Sequence, residues 1–376
     1  MNMSKLDRLN AILGSDRALA SLDDLVSLPV IRKDELLTQQ AEAPPFGGTA
    51  PVGVTHIFQS PGPIYEAKIG HGDYWRFGRF LAEIGMGADD VVMNTFSYHF
   101  TPAGAMFESA ARAVGAVVVP TGPGNTRQQA EVAAATGVTA YAGTPDFLQL
   151  ILDRAEEDGR DLSAIKFAAV SAGPLFPHLR QAYADQGILC RQTYGTADVG
   201  MISFETATCT NGMVIDDDVI VEIVSPGTGT PVPHGEIGEV VVTVLNPAHP
   251  IIRFSVGDLS AFATDNDPSG ETRPRIVGWR GRADQATKVK GMFIRPEQVS
   301  SLVDSSPDIT RARVEVSSNG KGDLIEVKLE SATTDTAVFE AMVHDMLKLR
   351  STVTVVDVGS LPRDGVLVSD LRDAPT

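Results

Sequence analysis

Between residues 89 and 195, short apolar runs alternate with helix-like segments, and this alternation constrains the fold more than any other feature. The strand-like runs are DDVVMNTF, AVVVPTG, VTAYAG, IKFAAVSAG and ILCRQTYG. Apolar residues recur at helical spacing in the segments between them, AGAMFESAARAVG, TRQQAEVAAATG, TPDFLQLILDRAEEDG and PHLRQAYADQG. Short strands alternating with helices of about 10–15 residues are typical of crossover units. The sequence therefore predicts an α/β fold with a mostly parallel sheet.

After residue 200 the helical period disappears. The runs VIVEIVS, GEIGEVVVTVLN and PIIRFSVGDLSAF surround the turn-rich spacer PGTGTPVPHG, which predicts antiparallel strands in a β subdomain. Beyond about residue 282, RARVEVSS and DLIEVKLES flank the hairpin signal NGKG, and a helix and a strand follow. We expect a larger N-terminal domain over residues 1–281 and a small α+β cap over residues 282–376.

Composition limits the classes of function. The chain has 376 residues, of which 43% are hydrophobic and 21% charged, as in an ordinary globular protein. A net charge of −17 argues against nucleic acid or an anionic membrane surface as a partner. Cys190 and Cys209 are too few for a disulfide framework or a Cys-rich zinc site. With neither a signal-peptide core nor an apolar run of the ~20 residues that span a bilayer, we expect a soluble cytoplasmic protein.

The predicted sheet directs attention to four loops, because ligands of open parallel sheets bind beyond the carboxyl ends of the strands. These loops are SYHFTPAG, PTGPGNTRQ, SAGPLF and TYGTADVG. The last contains Asp198, a candidate metal ligand, although a single acid on a loop is more often a cap or a solvated side chain. No single loop specifies one chemistry.

Taken in order with the later segments, these loops resemble the phenylacetate–CoA ligase branch of the adenylate-forming enzymes. The resemblance runs from LDDLVSLPVIRKDEL, near residue 22, to the C-terminus. Its blocks are PTGPGNTRQ (120–128), RQTYGTADVG (191–200), GTGTPVPHGEIGEVVVT (227–243), PIIRFSVGDLS (250–260), GRADQATKVKGMFIRPEQV (281–299) and GSLPRDG (359–365). It implies the adenylate-forming fold, with an AMP-binding domain and a mobile C-terminal cap. It also implies a reaction in which ATP, Mg²⁺ and a carboxylic acid give an acyl-adenylate that CoA then attacks.

The same resemblance implies where the nucleotide binds. Asp258 would accept hydrogen bonds from the ribose hydroxyls, and Arg282 would assist catalysis at the ribose and phosphate. A turn acid after a strand is the alternative interpretation of Asp258. Asp198 would be a second catalytic residue and the Mg²⁺ ligand. The implied nucleotide-binding set is Ser60, Gly62, Gly173, Tyr194, Gly195, Asp258 and Arg282.

Three further sites follow from the match. The acid pocket would have Tyr98, His99 and Phe100 as its wall and Ala172 with Gly173 as its floor. An aromatic cluster at a strand end is more often core than pocket, so that alternative stays open. The cap would rotate about Asp284, and Lys290 with Gly291 would contact CoA, although a plain turn also explains this glycine. The resemblance is compatible with a homodimer.

The segment SPGPIYEA departs from the family's phosphate loop, which is rich in Ser, Thr and Gly and ends in Gly-Lys-Pro. Pro61 and Pro63 have no N–H to donate, so fewer backbone donors face a pyrophosphate. Glu66 falls where the lysine belongs. An anion there would repel a phosphate by about 4 kcal/mol per charge pair at about 4 Å with an effective dielectric of about 20.

Two other positions depart in the same direction. Ala197 replaces the family's Ser or Thr, and Asp198 is shorter than the family's metal-binding Glu. Val366 follows GSLPRDG, where a lysine should stabilise charge on the α-phosphate. Because a positioned cation contributes orders of magnitude to such a rate, its loss should impair adenylation.

Three functions stay open from the sequence. The leading one is an acyl- or aryl-CoA ligase acting on a small aromatic or hydrophobic carboxylate. The second is a relative that binds a nucleotide or CoA thioester and transfers or hydrolyses the acyl group, and the third is a non-catalytic binding subunit. Glu66, Ala197 and Val366 favour the last two, whereas the ribose and hinge positions favour retained nucleotide binding.

Overall fold

The computed structural model describes residues 3–48, 51–60, 64–173, 175–285, 287–289, 292–318, 323–333 and 336–372. Within these ranges, most strands belong to a mixed sheet, a smaller antiparallel sheet or a separate sheet near the C-terminus. The predicted α/β class is confirmed. No helix in the described part of the chain is long and apolar enough to cross a membrane.

The N-terminal segment leads into a β-hairpin. Ser4 caps the first helix by accepting a hydrogen bond from the Asp7 N–H, and the Asp7 carboxylate accepts one in return. The hairpin strands are antiparallel, and Phe58 lies opposite Glu66. The elements are α1 (Lys5–Leu13), 3₁₀ turns over Ser15–Arg17 and Leu22–Ser27, α2 (Lys33–Glu42), β1 (Val54–Gln59), β2 (Tyr65–Ile69) and α3 (Phe77–Glu83).

The crossover units predicted between residues 89 and 195 are confirmed. They are β3 (Val91–Asn94), α4 (Ala103–Ala113), β4 (Val117–Pro120), α5 (Thr126–Thr136), β5 (Ala140–Gly143), α6 (Pro145–Glu157), β6 (Phe167–Val170), α7 (Pro177–Asp185) and β7 (Leu189–Thr196). The parallel strands are ordered β4-β3-β5-β6-β7. The chain leaves β3 toward β4 and returns to β5 on the other side, so the crevice beside the β3 loop is a topological switch point.

The strands after residue 200 divide between two sheets. β8 (Gly200–Phe204), β9 (Met213–Ile215) and β13 (Arg275–Ile276) extend the main sheet with antiparallel pairing. β10 (Val219–Val224), β11 (Gly238–Val244) and β12 (Ile251–Ser260) form the separate antiparallel sheet. The predicted antiparallel pairing is confirmed, but β8, β9 and β13 join the main sheet because β8 folds back directly on β7.

The C-terminal segment has a sheet of its own, with the order β18-β17-β16-β19. The hairpin predicted around NGKG is confirmed by the antiparallel pairing of β16 with β17, and residues 319–322 lie outside the described ranges. The boundary between residues 281 and 282 stays a prediction. The elements are β14 (Thr287–Val289), β15 (Met292–Ile294), α8 (Pro296–Asp304), β16 (Ile309–Ser318), β17 (Asp323–Ser331), α9 (Ala337–Leu347), β18 (Thr352–Val356) and β19 (Val368–Asp370).

Two apolar cores fix the main sheet and so orient its loops. One contains Phe80 of α3 and Phe107 of α4, and the other contains Leu148 of α6 and Tyr183 of α7. Helices therefore cover both faces of the sheet, as expected for buried parallel strands. Because the helices cover both faces, a ligand can bind at the polar loops that follow the carboxyl ends of the strands.

Candidate functional site

The first cluster of the site consists of Tyr194, Asp258, Trp279 and Arg282. The buried carboxylate of Asp258 lies at its centre. Its residue is only 7% exposed, and the Tyr194 hydroxyl donates a hydrogen bond of 2.8 Å to Oδ2. The Trp279 indole N–H donates to Oδ1 at 3.2 Å, and Nη1 of Arg282 lies 3.4 Å from the same oxygen. Burial raises the pKa of Asp258, and the Arg282 guanidinium is the strongest influence in the other direction. The structure thus brings Tyr194, Asp258 and Arg282 together, and their roles toward a nucleotide stay predictions.

Gly257 makes this approach of Arg282 sterically feasible. Its φ is +76°, a left-handed conformation that side chains other than hydrogen disfavour. A Cβ atom at Gly257 would lie 2.9 Å from Nη2 of Arg282. The glycine therefore lets the guanidinium lie directly against the backbone of β12.

The tight turn between β7 and β8 carries Asp198. A Cβ at Gly195 would lie 2.6 Å from the Gly200 carbonyl oxygen, so the two strands pack too closely here for a side chain. The side chain of Asp198 is 5% exposed, and its Oδ2 lies 2.9 Å from Nζ of Lys33. This ion pair joins the turn to the first residue of α2.

Lys33 is held in place by a short pairing of its own segment with β12. The Ile31 N–H donates to the Arg253 carbonyl at 2.9 Å, and the Ser255 N–H donates to the Ile31 carbonyl at 2.9 Å. Arg32 forms an ion pair of 2.7 Å with Glu239. Sequence reasoning did not select Lys33, although it lies in PVIRKDEL at the start of the resemblance.

Glu66 lies on β2 and is 8% exposed. Among the described residues, neither of its carboxylate oxygens has a hydrogen-bond partner. Burial, together with the nearby charge of Asp198, raises the pKa of Glu66 to about 8. From the sequence alone, an ionised Glu66 is expected to repel a phosphate. With a pKa of about 8, however, this carboxyl group is largely uncharged at neutral pH.

The phosphate-loop residues are described only in part. The Ser60 N–H donates to the Ile64 carbonyl at 3.0 Å. Gly62 lies outside the described residues, as do Pro61 and Pro63.

Among the described residues, the side chains near Asp198 do not form a resident Mg²⁺ site. Asp198 is already paired with the Lys33 ammonium, and the buried Glu66 holds a proton near neutral pH. Across the described ranges, no three His, Cys, Asp or Glu side chains converge as metal ligands would. Mg²⁺ prefers one or two free carboxylates together with substrate phosphates, so this donor set does not fit the ion by itself.

The residues predicted to form the acid pocket are not all together. Tyr98 lines a cavity of about 690 Å³ between the β1–β2 hairpin and α4. His99 and Phe100 do not line this cavity, and Phe100 is 76% exposed with a φ of +55°. The Phe100 carbonyl accepts a hydrogen bond of 2.8 Å from the Gln59 N–H, which ties this loop to the end of β1.

The predicted floor lies in the loop after β6. Ala172 is exposed with a φ of +60°, and Gly173 is half-buried. Neither residue is among those that line the cavity beside Tyr98. The assignment of an acid pocket to these residues stays a prediction.

The hinge and CoA positions are only partly described. Lys290 and Gly291 lie outside the described residues, as does the side chain of Asp284, whose backbone is in the 3₁₀ turn Ala283–Gln285. The Gln285 side chain donates to the Gly365 carbonyl at 3.1 Å and accepts from the Leu367 N–H at 2.8 Å. Hydrogen bonds thus join the hinge segment directly to the residues on either side of Val366.

Known proteins share this combination of sequence and geometry. The sequence model of the AMP-binding enzyme family matches residues 69–246. The phenylacetate-coenzyme A ligase of Aromatoleum evansii is 28% identical over 329 residues, which are 83% of this chain and 73% of that protein. By these matches the chain is similar to the phenylacetate–CoA ligases of the adenylate-forming enzymes. The family member from Thermus thermophilus is 27% identical over 262 residues, which are 67% of this chain and 58% of that ligase.

Solved structures confirm the adenylate-forming fold of this chain. A 2-hydroxyisobutyryl-CoA ligase in the postadenylation state, in complex with 2-HIB-AMP, has a TM-score of 0.75 and 22% identity. That match covers 98% of this chain and 85% of the ligase. An amide bond synthetase from Marinactinospora thermotolerans has a TM-score of 0.63 and 18% identity over 85% of this chain and 68% of its own. At these identities the likeness concerns the fold alone.

Proposed function

We propose that this protein is an acyl- or aryl-CoA ligase that converts a small aromatic or hydrophobic carboxylic acid to its CoA thioester through an acyl-adenylate. The observation that carries the proposal is the buried Asp258, held by Tyr194, Trp279 and Arg282 in a chain similar to the phenylacetate–CoA ligases. In the reaction, a carboxylate oxygen of the acid attacks the α-phosphorus of ATP and pyrophosphate leaves. The CoA sulfur then attacks the acyl carbonyl and AMP leaves.

The residues of the first cluster would bind and orient the nucleotide. An ionised carboxylate offers about four acceptor positions, so the donors from Tyr194, Trp279 and Arg282 leave capacity for a ribose hydroxyl. Arg282 is partly exposed and would turn one N–H toward the α-phosphate. Holding the nucleotide in one orientation is the part of catalysis that such a preorganised cluster supplies.

Lys33 would supply positive charge to the region among Glu66, Asp198 and Asp258, which we call the cleft. It is paired with Asp198, and its charge also acts on Glu66 and Asp258, so it lies among the acids of the cleft. Because Glu66 is largely uncharged at neutral pH, it does not oppose a phosphate there as an anion would. This arrangement supports ATP-dependent activation despite the altered phosphate loop.

A second candidate function retains the nucleotide site without activation of the acid. The protein would bind an adenylate or a CoA thioester and transfer or hydrolyse its acyl group. Glu66 and Val366 favour this alternative, because each stands where the resemblance places a lysine and so leaves one cation fewer for a triphosphate.

ATP–pyrophosphate exchange separates the two candidates. Exchange would be measured with a panel of aromatic and short-chain acids, with calorimetry of ATP, AMP and CoA binding in parallel. Acid-dependent exchange well above background is the result expected of the ligase. Binding of AMP or CoA without exchange would reject the ligase in favour of the second candidate.

We further propose a cytoplasmic location and a homodimeric assembly. The charge and the cysteine usage of the sequence support the location, and the resemblance supports the assembly. Light scattering after size-exclusion chromatography tests the dimer through a mass of about twice the chain's 39.9 kDa.

A further inference from the structure

The cavity beside Tyr98 carries ionisable side chains that the proposed chemistry does not use. It lies between the β1–β2 hairpin and α4 and has a volume of about 690 Å³, within the usual range for ligand sites. His56 and Lys68 contribute from the hairpin, and Glu108 and Arg112 from α4. Phe58 and Ala105 add an apolar wall.

The acids of this cavity are already engaged by neighbouring groups. Oδ2 of Asp73 accepts a hydrogen bond of 2.6 Å from the Gly78 N–H, and Ser109 Oγ donates to Oδ1 at 3.5 Å. The Glu108 carboxylate lies beside the Tyr98 hydroxyl, and burial, together with this carboxylate, raises the pKa of that phenol. Neither acid therefore needs a ligand cation.

Within the described ranges, the two cations of the cavity, Lys68 and Arg112, are not engaged by neighbouring side chains in this way. Lys68 is 9% exposed, and among the described residues its ammonium has neither a hydrogen bond nor an ion pair within 4 Å. Its nearest specific contact is the Trp75 ring, whose centroid lies 5.6 Å from Nζ. Arg112, exposed on α4, likewise has no side-chain partner in the described part of the chain. The charges of Glu108 and Asp73 act on Lys68 from the same cavity, but neither carboxylate forms an ion pair with it among the described contacts. A buried ammonium that lacks a direct anionic partner is unfavourable, so this side of the cavity favours an anionic ligand group.

The hairpin that lines this cavity also carries Glu66. His56 lies opposite Lys68 and Phe58 opposite Glu66 in the hairpin register. Residues two apart on one strand point to the same face and lie about 7 Å apart. Lys68 is two residues from Glu66 on β2, so both side chains lie on the same face of this strand.

We propose that Lys68 and Arg112 bind an anionic group in this cavity, and that this group is a second carboxylate of the acid substrate. The body of the acid would lie against Phe58, Tyr98 and Ala105, with its reacting carboxylate toward the nucleotide. This inference rests on the proposed function and narrows the substrate class to acids with an anionic group at the far end.

Calorimetry on the full chain tests the inference without catalysis. Matched acids would be compared, phenylacetate with 4-carboxyphenylacetate and butanoate with butanedioate. We expect the wild type to bind each dicarboxylate about tenfold more tightly than its partner, the size expected of one charge-assisted hydrogen bond. Lys68→Met should abolish this preference, Lys68→Arg should retain most of it, and Arg112→Met should reduce it.

Lys166→Met is the matched control, because Lys166 is exposed and lies outside the cavity lining. Its dicarboxylate preference should equal that of the wild type. Lys68→Met should melt at the same or a higher temperature, since it replaces a buried charge by an apolar side chain. A loss of preference in a folded Lys68→Met protein is therefore not a folding defect.

Equal affinity of the wild type for both members of each pair would overturn the inference, as would an unchanged preference in Lys68→Met. Inorganic phosphate is the third probe. If phosphate binds in a Lys68-dependent way while the dicarboxylate preference is absent, the cavity holds a separate small anion and the substrate assignment is wrong. Binding of AMP, measured in the same samples, reports on the proposed function independently, so the two failures are distinguishable.

Discussion

Replacing Glu66 by Gln tests how strongly the cleft disfavours a charged carboxylate. Glu66 is 8% exposed, has no hydrogen-bond partner among the described residues, and is near Asp198. Glu66→Gln keeps the size of the side chain and removes its ionisation. Any dependence of stability on pH that arises from this group should disappear.

The magnitude follows from the shift of the Glu66 pKa from 4.5 to about 8. Above pH 4.5 the unfolded chain releases this proton, whereas the folded chain holds it until about pH 8. The folded state therefore binds more protons in that window, and its stability falls as the pH rises through it. A shift of this size corresponds to about 5 kcal/mol of unfolding free energy between the two limits.

Urea denaturation at pH 5, 7 and 9 measures this effect. Trp75 and Trp279 are the two tryptophans of the chain, and their fluorescence reports on the part that contains Glu66. We expect Glu66→Gln to match the wild type at pH 5 and to exceed it by several kcal/mol at pH 9. Glu35→Gln, a change at an exposed position on α2, should follow the wild type at every pH. Parallel curves for the wild type and Glu66→Gln would refute the argument.

Three further changes test other contacts of the site. Asp258→Asn should weaken AMP binding at least about tenfold, since a neutral amide is a poorer acceptor for ribose hydroxyls; unchanged affinity in calorimetry would remove Asp258 from the nucleotide site. Lys33→Met should lower the unfolding free energy by about 1–2 kcal/mol, because Asp198 loses its partner while Lys33 is itself partly exposed. Adding Asp198→Asn should restore most of that loss, and additive effects would contradict the pairing. Gly257→Ala should destabilise the fold by about 1–3 kcal/mol and weaken AMP binding, since its Cβ would displace Arg282 from a backbone with φ of +76°; a normal melting temperature with normal AMP affinity would show that this approach is unnecessary.

The central sheet could be predicted from the sequence because its signals are local. Each strand from β3 to β7 is a short apolar run bounded by a helix that shows its own period, so neighbouring residues contain the information. The joining of β8, β9 and β13 to the main sheet could not be predicted, because it depends on which distant edge an antiparallel strand pairs with. Strand type and the pairing of strands that are neighbours in sequence were therefore predictable, whereas pairing with a distant sheet edge was not.

The site shows the same division. Tyr194, Asp258 and Arg282 could be selected from motif blocks, and the structure places them in contact. Lys33 was missed because its partner Asp198 is far away in sequence and the two meet only in the folded chain, where Ile31 pairs with β12. The largely uncharged state of Glu66 was missed as well, since its cause is burial, and burial is a property of the folded chain.

Direct detection of products tests the central claim, that this chain activates an acid as an adenylate bound at Asp258. The protein would be incubated with ATP, CoA and an acid from the panel, and AMP and the acyl-CoA would be quantified by mass spectrometry. We predict equal amounts of AMP and thioester with the wild type, dependence of both on ATP, and little of either with Asp258→Ala. Thioester formed without ATP, or formed equally well by Asp258→Ala, would contradict the account.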